Sequence, residues 1–110
     1  MTQFRDEKII GIIKEKAAKY LSLEASKSSL LTVTNVTLST DGKEATIFFT
    51  AFPADKEKTA LEFAKRKRRE FQEYMRDETK LGRLPMFDFE IDEGEKNRQK
   101  IDTLSQEAFK

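Results

Sequence analysis

A chain of 110 residues with a formal net charge of +1 has room for one domain around one hydrophobic core, and we expect residues 1–110 to form it. The absence of Cys and His excludes disulfides, thiolate metal sites and His-containing triads, so we expect no enzyme, no metal site and no cofactor. Charges from Arg5 onward argue against a secretory signal, and no apolar run reaches the length of a membrane span. We therefore expect a cytoplasmic protein with no membrane contact and no small-molecule substrate.

The first half of the chain predicts a helix followed by a β-hairpin. Apolar residues recur every three or four positions over residues 4–22, which indicates an amphipathic helix. Residues 30–38 are rich in β-branched side chains and predict a strand, and a slip in its alternation after Val33 predicts a β-bulge. The Asp41-Gly42 pair predicts a turn, and a second strand follows over residues 44–52.

The second half predicts a long helix, a strand and a polar tail. The helix runs over residues 56–78, and residues 86–92 alternate with Phe87 and Phe89 inward and an acidic outer face. Residues 93–110 are polar, and a weak apolar stripe indicates a short docking helix formed by Ile101, Leu104 and Ala108. The simplest packing is an α+β fold, helix-strand-strand-helix-strand, in which a three-stranded sheet carries the helices on one face.

Five consecutive positive charges, Lys65 to Arg69, lie inside the predicted second helix. A helical wheel places some of them on a basic stripe, which is a natural footprint for the phosphates of RNA. The stripe consists of Lys58, Lys65, Arg69, Arg76 and Lys80. With the rest of the cluster and with Arg83 beyond the helix, the candidate RNA-binding residues are Lys58, Lys65, Arg66, Lys67, Arg68, Arg69, Arg76, Lys80 and Arg83.

The same wheel places Lys67 and Arg68 on the flanks of the apolar stripe. Either their stems lie across apolar surface, or the helix bends at this point and the two charges project freely. The sequence leaves open whether residues 56–80 form one helix or two.

Other interpretations of the charges stay open. The basic face can be merely solvated, paired with carboxylates of the same helix, namely Glu62, Glu70, Glu73 and Asp77. The protein would then be a non-enzymatic interaction or scaffold domain with an acidic partner. The acidic residues from Asp88 to Glu95 suit a divalent cation, but on an edge strand they more often discourage aggregation. An enzyme that uses paired carboxylates or a lysine ranks last, because nothing indicates a pocket for it.

Three stretches, in order, resemble the ribosome-binding factor A family. They are the opening helix from Arg5 to Leu21, the Thr- and Val-rich hairpin from Leu31 to Phe49, and the strand from Leu84 to Asp92, which is similar to the family's Pro-x-Leu-x-Phe strand ending in Asp. Aligned backward from Pro85, the family's Ala-x-Gly kink between two helices falls near residues 67–69, where this chain has no Gly.

The resemblance implies a type II KH-like domain that binds the small (30S) ribosomal subunit and its 16S rRNA. It implies a role in late subunit assembly, in maturation of the 5′ end region of the rRNA and often in growth in the cold. The family is non-enzymatic. We expect a monomer whose basic helix face contacts rRNA phosphates.

Overall fold

The computed structural model describes residues 4–24, 29–95 and 97. Its elements follow the predicted order, with one difference in the second helical region. They are α1 (Phe4–Glu24), β1 (Leu30–Leu38), β2 (Glu44–Phe52), a short 3-10 helix (Ala54–Lys56), α2 (Glu57–Arg66), α3 (Arg68–Glu78) and β3 (Met86–Ile91).

The three strands form one sheet in the order β1-β2-β3. The first two strands are antiparallel, as the hairpin prediction requires, whereas β3 runs parallel to β2 because the helical region crosses over between them. The register of the hairpin shifts between Val33 and Asn35, so the predicted β-bulge is confirmed and Thr34 is the extra residue.

One face of the sheet packs against the helices and forms the core. Alternate residues of β2 and β3 are buried there, while their neighbours on the other face stay partly or fully exposed. The helices contribute their predicted apolar stripes. The buried core residues are Ile13, Ala17, Tyr20, Leu21, Val36, Ala45, Ile47, Phe49, Ala60, Ala64, Phe71, Met75, Phe87 and Phe89. The prediction of an α+β fold with its helices on one face is confirmed.

The prediction of one long helix over residues 56–78 was wrong, and the alternative of two helices is correct. The break lies at Lys67, whose backbone dihedrals of φ −91° and ψ 3° leave the helical range. Its amide donates to the carbonyl oxygens of both Phe63 and Ala64, and its own carbonyl accepts from the amide of Phe71 at 2.8 Å. Since φ is negative, the break needs no glycine, which explains how it forms without the Gly of the Ala-x-Gly kink.

Asp92, the residue that follows β3, has a carboxylate that joins three parts of the chain. Asp92 Oδ2 accepts a hydrogen bond from the Thr34 hydroxyl at 2.5 Å, so it holds the bulged residue of β1. Its Oδ1 accepts from the amide of Glu95 at 3.0 Å, at the start of helical residues 93–95.

The docking helix predicted for Ile101, Leu104 and Ala108 lies outside the described residues. Within the part of the chain that the structure describes, no helix is both long and apolar enough to cross a bilayer.

Candidate nucleic-acid interface

The break between α2 and α3 opens a shallow groove of about 480 Å³ along the edge of the sheet. Four of the five clustered cations line it, together with one amide side chain and the first two residues of β3. The lining residues are Lys65, Arg66, Arg68, Arg69, Gln72, Met86 and Phe87. The groove therefore combines a concentrated positive charge with a small apolar surface, because Met86 is 71% exposed.

Two of the groove cations are paired with carboxylates of β3. Lys65 Nζ donates to Glu90 Oε1 at 2.8 Å and to Asp88 Oδ1 at 3.1 Å. Arg68 Nη1 reaches the same Asp88 oxygen at 3.2 Å, and Arg68 Nε donates to the carbonyl oxygen of Lys65 at 3.0 Å. These contacts tie α2 and the start of α3 to the edge strand across the helix break.

The pKa values in this network follow the pairing. The hydrogen bond to Glu90 raises the pKa of Lys65 against the opposing effect of burial, and Asp88 adds to the rise. For Asp88, burial is the largest single effect and raises the pKa. The hydrogen bonds from Lys65 and from the Phe89 amide, together with the positive charges of Lys65 and Arg68, lower it by more. The pKa of Asp88 therefore lies below its ordinary value. Lys65 and Asp88 therefore both stay charged at neutral pH.

Lys67 lies at the break itself and does not line the groove. Its Nζ donates to Glu70 Oε2 at 2.9 Å and lies 3.9 Å from Glu24 Oε2. It also lies 5.7 Å from the centroid of the Phe63 ring. The hydrogen bond to Glu70 raises the pKa of Lys67 above its ordinary value. Both sequence alternatives thus hold in part, since the helix breaks here and the Lys67 side chain still covers apolar surface.

The remaining candidate cations take part in no ion pair among the described residues. Arg66 and Arg69 belong to this set and line the groove, so they are the cations available to a ligand there. Arg83 lines a separate depression of about 250 Å³ beside the N-terminal half of α1. The set without an ion pair is Lys58, Arg66, Arg69, Arg76, Lys80 and Arg83.

The predicted stripe does not exist as one helical face. It required a continuous helix, but Lys58 and Lys65 belong to α2, Arg69 and Arg76 belong to α3, and Lys80 lies beyond the end of α3. The structure brings together only the part of the candidate set that surrounds the break. The members that meet in the groove are Lys65, Arg66, Arg68 and Arg69.

Sequence reasoning missed most of the carboxylate partners. It predicted pairing along the helix, but of the four proposed acids only Glu70 forms an ion pair among the described residues. The main partners come from the acidic face of β3, which the alternation did reveal, although helical spacing gives no sign of a contact between α2 and β3. Gln72 and Met86 were also missed; Gln72 Nε2 donates to the Pro85 carbonyl oxygen at 3.0 Å, beside the groove. No cluster of three metal-ligating side chains occurs within the described ranges.

Comparison with known proteins identifies the family. The model of a family described as ribosome-binding factor A matches residues 5–105. The chain belongs to the ribosome-binding factor A family. The structure is similar to the crystal structure of ribosome-binding factor A from Thermus thermophilus, with a TM-score of 0.68 and 26% sequence identity over 77% of this chain and 93% of that chain. This similarity confirms the KH-like fold that the resemblance implied. A search of curated proteins found no match to the sequence.

Proposed function

We propose that this protein is a non-enzymatic ribosome-binding factor of the cytoplasm that assists late maturation of the 30S subunit and processing of its 16S rRNA. Membership of the ribosome-binding factor A family supports a ribosomal partner. The main support for an RNA contact is the groove at the helix break, which four cations line. Two of these cations, Arg66 and Arg69, have no ion pair among the described residues.

The groove suits a nucleic-acid backbone better than a small molecule. It is open, and its guanidinium groups present planar donors that match the geometry of phosphate oxygens. The exposed Met86 side chain offers an apolar surface for a base or ribose next to these cations. Arg76 on α3 and Lys80 beyond its end are exposed and do not line the groove, so we propose them only as additional phosphate contacts. Most phosphate contacts carry no sequence information, so we propose that the protein recognises the shape and charge of its rRNA segment.

Docking would act on subunit maturation through differential affinity. A factor that binds one conformation of the immature subunit more tightly than the others raises the population of that conformation without catalysing a reaction. The KH-like sheet and its helices supply a stable support, since the groove lies between elements that share one buried core.

The test is binding of the purified protein to isolated 30S subunits at about 50 and about 200 mM salt. The test variant carries Arg66→Glu and Arg69→Glu. The matched control carries Lys14→Glu and Lys19→Glu, which make the same change in net charge at exposed positions of α1. Each phosphate contact to single-stranded RNA contributes about 0.7 to the salt slope, so the loss of two contacts weakens binding roughly 25-fold near 0.1 M salt.

We expect salt-sensitive binding by the native protein and the control, and a loss of binding in the groove variant. Retained binding by the groove variant would move the contact to another surface. Failure of the native protein to bind 30S subunits at low salt would refute the proposed function. It would favour the scaffold alternative, which the interleaving of Lys65, Lys67 and Arg68 with carboxylates supports.

A further inference from the structure

The groove contains two kinds of cation, and the difference has a consequence for RNA affinity. Arg66 and Arg69 have no ion pair among the described residues, whereas Lys65 and Arg68 are held by acidic side chains of β3. All four line the same groove, so a phosphate that enters it meets the paired cations beside the unpaired ones. Any contact with Lys65 or Arg68 must then compete with Asp88 and Glu90.

The geometry of the pairs makes that competition feasible. The side chains of Lys65 and Arg68 keep 34% and 49% of their surface exposed, and those of Asp88 and Glu90 keep 39% and 43%. Water therefore reaches both partners, and ion pairs this exposed contribute little net stability, so an incoming anion can replace a carboxylate without stranding a buried charge. Asp88 is the pivotal acid, because one of its oxygens accepts from both cations.

We propose that Asp88 and Glu90 compete with rRNA phosphates for Lys65 and Arg68, and so limit the affinity of the groove for RNA. The inference rests on the proposed function and adds a regulatory element to the same site. A ligand with few phosphates contacts Arg66 and Arg69 alone. An RNA backbone whose successive phosphates reach all four cations displaces the carboxylates and gains the two further contacts.

The test uses a variant with Asp88→Asn and Glu90→Gln, which keeps the size of both side chains and removes both negative charges. Any loss of acidic charge strengthens RNA binding slightly through long-range electrostatics. The matched control therefore carries Glu62→Gln and Glu73→Gln, two exposed acids of α2 and α3 that form no ion pair among the described residues. Both variants gain the same net charge.

The measured quantities are the affinity for a labelled single-stranded oligoribonucleotide and for 30S subunits, each as a function of salt. Each freed cation that contacts a phosphate raises affinity roughly fivefold near 0.1 M salt and steepens the salt slope by about 0.7. We expect the Asp88→Asn, Glu90→Gln variant to bind at least about tenfold more tightly than the native protein, with a slope steeper by about 1.4, and the control to change by less than about threefold.

A second comparison assigns the effect to the ion pairs. In a background with Lys65→Met and Arg68→Met, the two carboxylates have no cation to withhold, so their neutralisation should give no more than the gain of the control. A gain equal to the control in the native background would overturn the inference while leaving the proposed function intact. A native protein that binds neither RNA nor subunits would refute both. Circular dichroism and urea unfolding of every variant establish that the folded protein is being compared.

Discussion

Phe71 joins the helix side of the core to the sheet, and its truncation should be among the most damaging changes in this chain. Its ring is fully buried and packs against four other aromatic rings. The distance from its ring centroid to that of the neighbouring ring is 4.9 Å for Phe87, 5.2 Å for Tyr20, 5.5 Å for Phe89 and 6.1 Å for Tyr74. A buried Phe→Ala change costs about 3–5 kcal/mol, because it removes transfer free energy and leaves a cavity. A domain of this size is stable by only about 5–15 kcal/mol, so Phe71→Ala should leave it marginal.

Urea unfolding followed by far-ultraviolet circular dichroism measures the loss. With a denaturant dependence of about 1.5–2 kcal/mol per molar urea, the midpoint should fall by roughly 2 M. Phe52→Ala is the matched control, because the Phe52 side chain is 71% exposed, and it should cost less than about 1 kcal/mol. Phe71→Leu retains part of the volume and should fall between the two. A Phe71→Ala variant that loses no more stability than Phe52→Ala would refute this account of the core.

Substitutions at two positions and one titration test local features of the hairpin and its bulge. Gly42 has a φ of 72°, so Gly42→Ala should cost about 1 kcal/mol although an added Cβ meets no atom within 4 Å, and Gly42→Asn should cost less in the same urea assay. Thr34→Val removes the hydroxyl that donates to Asp92 and should cost about 1–2 kcal/mol, whereas Thr34→Ser should remain near the native midpoint; equal losses would contradict a role for the hydrogen bond. The pKa of Asp41 is lowered, mainly by the hydrogen bond from the Ser39 hydroxyl and further by the one from the Lys43 amide. The ionised Asp41 carboxylate should therefore stabilise the turn at any pH above the ordinary carboxyl pKa. This stabilisation should be lost as the pH falls through the lowered pKa of Asp41. Titration of the Asp41 carboxyl by nuclear magnetic resonance checks this, and an unshifted pKa would exclude these hydrogen bonds.

The strands were predictable because their signal is local. Burial on one face imposes alternation, so Phe87 and Phe89 identify the inner face of β3 without knowledge of the rest of the fold. The slip after Val33 likewise predicts the bulge, since an extra residue is the only way for both halves of β1 to keep their inner face inward. The family resemblance then supplied the overall arrangement.

The helix break was not predictable from apolar spacing alone. Ala60, Ala64, Phe71 and Met75 are separated by four, seven and four positions, and this spacing places all four on one face of an unbroken helix. The five cations between Ala64 and Phe71 do not oppose helix formation either. The sequence offered a bend at Lys67 and Arg68 as one of two alternatives, and the folded chain decides for it, because α2 ends before Lys67 and α3 begins after it. Lys80 therefore cannot belong to a basic stripe that begins at Lys58 on one continuous helix.

The ion pairs of the groove depend on the parallel crossover, which no short-range pattern encodes. Lys65 lies 23 residues before Asp88 and 25 before Glu90, and the three meet because β3 returns parallel to β2 beneath the helix break. The outer face of β3 was recognised as acidic from its alternation, and its position at the edge of the sheet explains why charge is tolerated there. Its contact with the basic cluster followed from neither observation.

The near-neutral net charge is therefore no argument against RNA binding. A net charge of +1 is a sum over the whole chain, whereas a phosphate in the groove experiences the charges within about 10 Å of it. On that scale the guanidinium groups of Arg66 and Arg69, which form no ion pair with any described residue, lie beside a lysine and an arginine that Asp88 and Glu90 already neutralise. The same two carboxylates blunt the exposed edge of β3 against pairing with another strand. Replacing them with apolar or basic residues would strengthen the positive field of the groove but remove this protection, so an edge strand beside an RNA site favours acids that can pair with its cations.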